Sequence, residues 1–164
     1  MDQVLEKARP VRLLVLDVDG VLTDGRLYLS AEGEELKVFH VRDGYGLVAV
    51  QRSGVKVAII SGRDCAAVTR RATELGIAHV MQGVSDKAAA LEKLMGSLGV
   101  DKHEVACVGD DTPDIAMLRK AGLPIAVADA HPGVISETVW STTSVGGRGA
   151  VREICDLLLS AKAP

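Results

Sequence analysis

The sequence predicts an α/β protein in three layers: a mainly parallel sheet covered by helices on both faces, with a β-hairpin inserted after the first strand. Short apolar runs alternate along the 164 residues with segments of helical period, the pattern of parallel strands joined by crossover helices. The first run, Leu13-Leu14-Val15-Leu16, is apolar throughout rather than alternating, which marks a strand buried on both sides. Residues 26–41 break the alternation with a two-residue period of their own. A single domain spanning 1–164 is long enough to enclose such a core.

The first strand is expected at 12–17, ending in a carboxylate. In the hairpin that follows, Leu27 and Leu29 alternate on one arm and Leu36, Val38 and His40 on the other. Ala31-Glu32-Gly33 makes its turn, with glycine free to take a positive φ. An isolated hairpin is marginal in water, so this one is expected to pack against the domain or another subunit. A helix at 44–52 leads to a strand at 55–60, which ends in the run Val57-Ala58-Ile59-Ile60. The alternation continues with a helix at 64–75, a strand at 78–82, a helix at 86–98 and a strand at 105–109. Pro113, suited to a first helical turn, opens a helix at 113–121. A strand at 124–128 and a helix at 149–160 follow, the latter with Val151, Ile154, Cys155 and Leu158 in one stripe. The expected architecture is a Rossmann-like three-layer sandwich.

The chemistry-bearing residues fall where these strands end. Asp17-Val18-Asp19-Gly20-Val21-Leu22-Thr23 follows the first strand, at the sheet edge where open α/β folds bind ligands. Side chains two apart on an extended segment point the same way, so Asp17 and Asp19 converge. Clustered carboxylates repel unless a cation or a shared proton offsets them. Their hard oxygens suit Mg²⁺. Ser61-Gly62-Arg63 follows the 55–60 strand, Lys87 opens a helix after Ser85-Asp86, and Gly109-Asp110-Asp111-Thr112-Pro113-Asp114 follows the 105–109 strand.

Each group alone has an ordinary explanation: a turn, a solvated lysine, acids at a helix start. Delivered together to one crevice, they suit phosphoryl transfer. One carboxylate can attack phosphorus and form an aspartyl-phosphate. A second can protonate the leaving oxygen and then activate water. A hydroxyl, free amides and a lysine can hold the phosphoryl oxygens, and further carboxylates a metal.

This ordered set resembles the haloacid dehalogenase superfamily of phosphatases over nearly the whole chain. The resemblance implies Asp17 as nucleophile, Asp19 as general acid/base, Ser61 and Gly62 as phosphate binders, and Lys87 as the motif-three lysine. It implies Asp17, Asp19 and Asp110 at Mg²⁺, with Asp111 and Asp114 behind them. The sequence is similar, more narrowly, to the 3-deoxy-D-manno-octulosonate 8-phosphate phosphatases. That similarity is carried by Asp17–Gly25, Gly33-Glu34-Glu35-Leu36-Lys37-Val38-Phe39, Val41-Arg42-Asp43-Gly44-Tyr45-Gly46, Ala126-Val127-Ala128-Asp129-Ala130-His131-Pro132 and Gly146-Gly147-Arg148-Gly149-Ala150-Val151-Arg152-Glu153. It implies no cap domain, the hairpin standing in its place, a homotetramer whose neighbours help close each site, and a place in lipopolysaccharide precursor synthesis.

The substrate's carboxylate needs a cation, for which Arg63 at the site entrance is the first candidate and Arg71 and Arg148 are others. Phosphatases of nine-carbon sialic-type acids tend to carry glutamate where Arg63 stands, so arginine favours the eight-carbon substrate. Glu74 departs from the eight-carbon pattern. The chain ends at Ala163-Pro164, without the longer tail by which relatives reach a neighbour's site.

Composition narrows the partners. Net charge is −3 without a long basic run, and the aromatics are only Tyr28, Phe39, Tyr45 and Trp140, which argues against a nucleic-acid surface. No apolar run reaches membrane-spanning length, and Met1–Arg12 lacks the apolar core of a leader. Cys65, Cys107 and Cys155 have no metal-ligand spacing and read as reduced thiols in the cytoplasm. Other readings are a receiver domain and a non-catalytic oligomerisation module. A receiver places its acceptor aspartate after the third strand, which here ends in Met81-Gln82-Gly83, and an assembly module tends to lose catalytic acids that this chain retains.

Overall fold

The computed structural model describes residues 2–162; the chain end at Ala163-Pro164 lies outside the described residues. The chain opens with α1 (Asp2–Ala8) and β1 (Leu13–Leu16), followed by the hairpin arms β2 (Tyr28–Leu29) and β3 (Glu35–Leu36). Then come α2 (Val41–Arg52), β4 (Lys56–Ile60), α3 (Ala66–Glu74), β5 (His79–Met81), α4 (Lys87–Leu98) and β6 (Val105–Gly109). The last elements are α5 (Ile115–Leu118), β7 (Leu123–Ala126), α6 (Pro132–Ile135), β8 (Trp140–Ser141) and α7 (Ala150–Lys162).

Six strands form one sheet in the order β5-β4-β1-β6-β7-β8, parallel at every pairing. All four residues of β1 are fully buried, as its unbroken apolar run required. Helices α1, α2 and α7 pack together on one face, and α4 and α5 pack on the other. The strand order runs outward from β1 in both directions. The connections leaving β1 and β6 therefore diverge and open a crevice at their carboxyl ends, where ligands of such sheets bind.

The principal strands and helices fall where the sequence placed them, with shifted ends. Helix α2 begins at Val41, so the hairpin stops at His40. The helix expected at 113–121 contracts to a 3₁₀ turn, Thr112–Asp114, and one turn of α5. There the chain is pulled back by the Gly122 amide, which bonds the carbonyls of Lys102 (2.8 Å) and Val105 (3.1 Å). Helices α1 and α6 and the edge strand β8 are additional. Each is short, and none carries a long periodic pattern.

The segment between β1 and α2 builds only the hairpin, without a cap domain. Its ladder is two residue pairs, Tyr28 with Leu36 and Leu29 with Glu35. Gly33, at φ +85°, makes the turn. Its sidedness is unexpected. Leu29, Leu36 and Val38 are 65%, 64% and 58% exposed, while Glu35, Lys37 and Phe39 face the body. Cys107 and Cys155 are buried, Cys65 is half-buried, and all three are free thiols. No helix among the described residues is long and apolar enough to cross a membrane.

One buried carboxylate joins distant elements. Asp43 on α2 accepts from the amides of Arg152 (2.8 Å) and Gly149 (3.4 Å), capping α7 from across the face. Those amides belong to the helix's unsatisfied first turn. Removing the acceptor leaves them without it in a partly buried position, so Asp43→Ala is expected to destabilise the fold by about 1–3 kcal/mol. Urea denaturation followed by circular dichroism measures this, and an unchanged midpoint would refute the capping role.

Candidate active site

The loop after β1 is built to hold carboxylates at the crevice. Asp17 is 5% exposed and bonds the neighbouring strand through its own amide, to Val108 O at 3.2 Å. The buried Thr23 hydroxyl bonds Val18 O (3.4 Å) and accepts from the amides of Gly20 (3.4 Å) and Gly25 (3.2 Å), closing the loop on itself. Gly20 has φ +95°, and a Cβ there would collide with the Asp110 carboxylate. Both its conformation and its contact therefore demand glycine. Gly146 packs on the Gly20 carbonyl, and the Gly147 amide bonds Val21 O at 2.9 Å. The 146–149 segment thus buttresses the loop that carries Asp17 and Asp19.

Three acids converge. One carboxylate oxygen from each of Asp17, Asp110 and Asp114 lies within 4.8 Å of the others. Asp110 and Asp114 come from the turn after β6. Lys87 enters from the first turn of α4, whose start is fixed by the Asp86 side chain accepting from the Ala89 amide at 2.9 Å. Its ammonium bridges Asp17 Oδ1 (2.7 Å) and Asp114 Oδ1 (2.6 Å). The other oxygen of Asp114 accepts from the Asp110 amide at 3.0 Å.

The electrostatics follow from this crowding. Burial, then the Asp114 charge, push Asp17 up to about 6 against the pull of Lys87. Burial and the charges of Asp17, Asp114 and Asp111 push Asp110 up to about 8. Burial opposes the Lys87 charge, but Asp17 and Asp114 outweigh it and raise its pKa. One ammonium does not balance three carboxylates, so the donor set fits a hard divalent cation. Asp114 is occupied by Lys87 and an amide. Asp17 and Asp110 are the acids free to ligate.

Across the cleft, Ser61 is 2% exposed at the end of β4, and its hydroxyl accepts from the Arg63 amide at 3.3 Å, leaving its own proton to donate. The Arg63 side chain, 48% exposed at the mouth, reaches Glu35 Oε2 at 2.8 Å and lies 3.7 Å from Asp19 Oδ2. Lys37 contacts Asp19 Oδ1 and also Glu35 Oε1, at 2.9 Å. Its pKa is raised, the bonds to Asp19 and Glu35 outweighing burial. The cleft, of about 370 Å³, is lined by Asp17, Asp19, Ser61, Gly62, Arg63 and Lys87 together with the 110–114 turn.

The structure places each of the other expected residues. The Asp19 carboxylate, expected with Asp17 and Asp110 at the metal, turns to Lys37 and Arg63, beside the cluster formed by the side chains of Asp17, Asp110 and Asp114. Asp114, read as standing behind the metal, is a member of that cluster, though its oxygens are taken. Asp111 caps the 3₁₀ turn, accepting from the Thr112 amide at 2.7 Å. Arg71 is drawn to Glu74 on its own helix and lines no part of the cleft. Arg148 lies in a separate groove with Asp24, Tyr28 and Arg42. Glu35 and Lys37 were not singled out as site residues. Their signal was a charged pair alternating with Leu36 and Val38, which reads equally well with either face inward.

The strand order excludes a receiver domain. The third principal strand, β5, is an edge, and the acids follow β1 and β6 at the centre.

A sequence profile of haloacid dehalogenase-like hydrolases matches residues 69–154. The chain is 51% identical over 159 residues, 97% of its length and 85% of the relative's, to 3-deoxy-D-manno-octulosonate 8-phosphate phosphatase KdsC of Escherichia coli strain K12. The structure of the Moraxella catarrhalis 3-deoxy-D-manno-octulosonate 8-phosphate phosphatase, in complex with magnesium ion, phosphate ion and KDO, superposes with a TM-score of 0.97 at 44% identity, covering 99% of this chain and 93% of that one. The Yersinia pestis enzyme of the same name gives 0.96 at 47% identity, covering 98% and 87%.

A pH dependence follows from the raised carboxylates. Without a cation the folded state keeps protons on Asp17 and Asp110 that the unfolded chain has released. These groups cost nothing below the ordinary carboxylate pKa, and they destabilise increasingly as pH rises toward Asp110's value of about 8. In EDTA, Asp110→Asn is therefore expected to melt above the wild type near pH 8, with a smaller gap near pH 5. Mg²⁺ should raise the wild-type melting temperature far more than the variant's. Calorimetry checks this, and a wild type indifferent to Mg²⁺ near pH 8 would overturn the metal assignment.

Proposed function

The chain belongs to the haloacid dehalogenase-like hydrolases, and from that premise we propose that it hydrolyses 3-deoxy-D-manno-octulosonate 8-phosphate to the free sugar acid and phosphate, with Mg²⁺ and through an aspartyl-phosphate. The carrying observation is the Lys87-bridged Asp17–Asp114 pair, set beside Asp110 and Ser61 at the β1–β6 crevice. The named relatives, at half identity over nearly the whole chain, support the substrate and its place in lipopolysaccharide precursor synthesis.

In this reading residues 1–164, hairpin included, work as one phosphatase domain. Lys87 fixes Asp17 Oδ1, and Oδ2 attacks phosphorus. The bond from phosphorus to the C8 oxygen breaks, and that oxygen takes the proton of Asp19. Asp19 then takes a proton from water as the water oxygen attacks phosphorus. The bond to Asp17 breaks, releasing phosphate and restoring the nucleophile. The Ser61 hydroxyl, the Gly62 amide and Lys87 hold phosphoryl oxygens throughout. Asp17 and Asp110 would hold Mg²⁺, which when bound would neutralise charge on the attacking carboxylate and the phosphoryl group. Arg63, half exposed at the mouth, exchanges Glu35 for the substrate carboxylate, a bidentate match.

Assembly belongs to the same reading. Leu27, Tyr28, Leu29, Leu36 and Val38 expose apolar surface on a hairpin held by two residue pairs, with Val41 and Tyr45 exposed on the helix that follows. We place this surface in a cytoplasmic homotetramer, where a neighbour laid over the entrance excludes water from the aspartyl-phosphate.

Released phosphate, measured over a panel of sugar phosphates that includes a nine-carbon acid 9-phosphate, should be greatest for the octulosonate ester and should vanish in EDTA. Asp17→Asn should lose about 10³-fold or more in kcat with the fold intact. Near-normal turnover in that variant would remove the nucleophile assignment. Light scattering should give a tetramer for the wild type and smaller species for the Leu27→Asp, Val38→Asp double variant. A fully active, selective monomeric wild type would show that the hairpin works within one chain.

A further inference from the structure

We infer that Lys37, reaching in from the hairpin, is the positioning residue for Asp19, fixing that carboxyl against the leaving oxygen. The inference rests on the reading of Asp17 as nucleophile and Asp19 as acid. Lys37 is the most deeply buried charge of the hairpin, its side chain 2% exposed, although Leu36 and Val38 on either side are open to solvent. A lysine is not withdrawn from water while its apolar neighbours remain in it unless its ammonium has partners to meet. Those partners are Asp19 Oδ1 and Glu35 Oε1, and Glu35 in turn holds Arg63 beside Asp19 Oδ2. Each oxygen of Asp19 thus faces a cation, and both cations are braced by one glutamate.

Asp19 needs this support. It sits on a loop that reverses at Gly20, and Lys87, which orients Asp17 and Asp114, does not bond it. A proton donor must lie within hydrogen-bond reach of the departing oxygen. A misplaced one loses much of its effect. Lys37 touches neither Asp17 nor Asp110, so its removal weakens proton delivery while leaving the nucleophile and the metal acids in place.

Leaving-group dependence tests this. The C8 alkoxide cannot depart without a proton, whereas p-nitrophenolate can. Because kcat/KM reads events only through leaving-group departure, it isolates this step. For Lys37→Met, kcat/KM on the octulosonate phosphate should fall by about 10–100-fold, with p-nitrophenyl phosphate changed by less than about 3-fold. Lys37→Arg, which keeps the cation, should recover most of the loss. Asp19→Asn should show the same selectivity more deeply. Equal losses on both substrates for Lys37→Met, or a rise in KM alone, would overturn the inference while a selective Asp19→Asn leaves the acid assignment standing. A non-selective Asp19→Asn would instead remove the acid assignment itself. Should Lys37→Met fail to fold, Glu35→Gln is expected to show a smaller loss of the same selectivity, and an equal loss on both substrates would overturn the inference.

Discussion

Carboxylates that repel one another, held together in a buried crevice, are the condition around which this molecule is arranged. Asp17, Asp110 and Asp114 approach within 4.8 Å with one ammonium among them, and burial, together with this crowding, pushes Asp17 and Asp110 toward neutrality. No local preference favours such a cluster, and the surrounding fold imposes it. Lys87 is committed to two of the acids before substrate arrives, and Asp114 spends its second oxygen on the Asp110 amide. The remaining excess of negative charge is what a divalent cation would offset before an anionic phosphoryl group could enter.

The sheet order makes this convergence possible. Because β1 lies between β4 and β6, the loops after these three strands reach one place from three parts of the chain. They bring the Asp17–Asp19 loop, the Ser61 turn and the 110–114 acids, and α4 adds Lys87 across the same edge. Close approach of backbones completes the fit. Gly20 leaves room for the Asp110 carboxylate, and Gly146 in turn leaves room for the Gly20 carbonyl. A methyl group at either place would separate groups that the chemistry needs adjacent.

These relations were unequally visible in the sequence. An unbroken apolar run closing on Asp17 reads as a buried strand with its end at a site, and the joint order of Ser61, Lys87 and Asp110 supplied the information that the run alone did not. The arginines were harder. Arg63, Arg71 and Arg148 are alike in type, and only the fold shows Arg63 at the mouth, Arg71 drawn to Glu74, and Arg148 in a separate groove. The direction of the Asp19 carboxylate was not legible, because a two-residue spacing gives a common direction but says nothing of a competing cation. That cation, Lys37, was hidden by the hairpin's period. Alternation of Glu35, Leu36, Lys37 and Val38 defines two faces without saying which is inward, and the usual assumption of apolar-inward fails here.

Inverting that face solves two problems with one element. Inward-pointing charges discourage an edge from pairing indiscriminately, and they also reach the site, where Asp19 and Arg63 require them. The outward apolar side chains are then available for a specific neighbour. A hairpin with two paired residues on each arm has little rigidity of its own. In the proposed assembly, contact on its outer face would restrict the same strand whose inner face carries Lys37. Leu36 and Val38 flank Lys37 on one backbone, so a neighbour that holds them also holds the ammonium against Asp19. In that proposal quaternary structure and the placement of Asp19 would be joined through a single residue step of the pleat. A larger cap would have to transmit its closure over a hinge. Here the distance is the thickness of one strand.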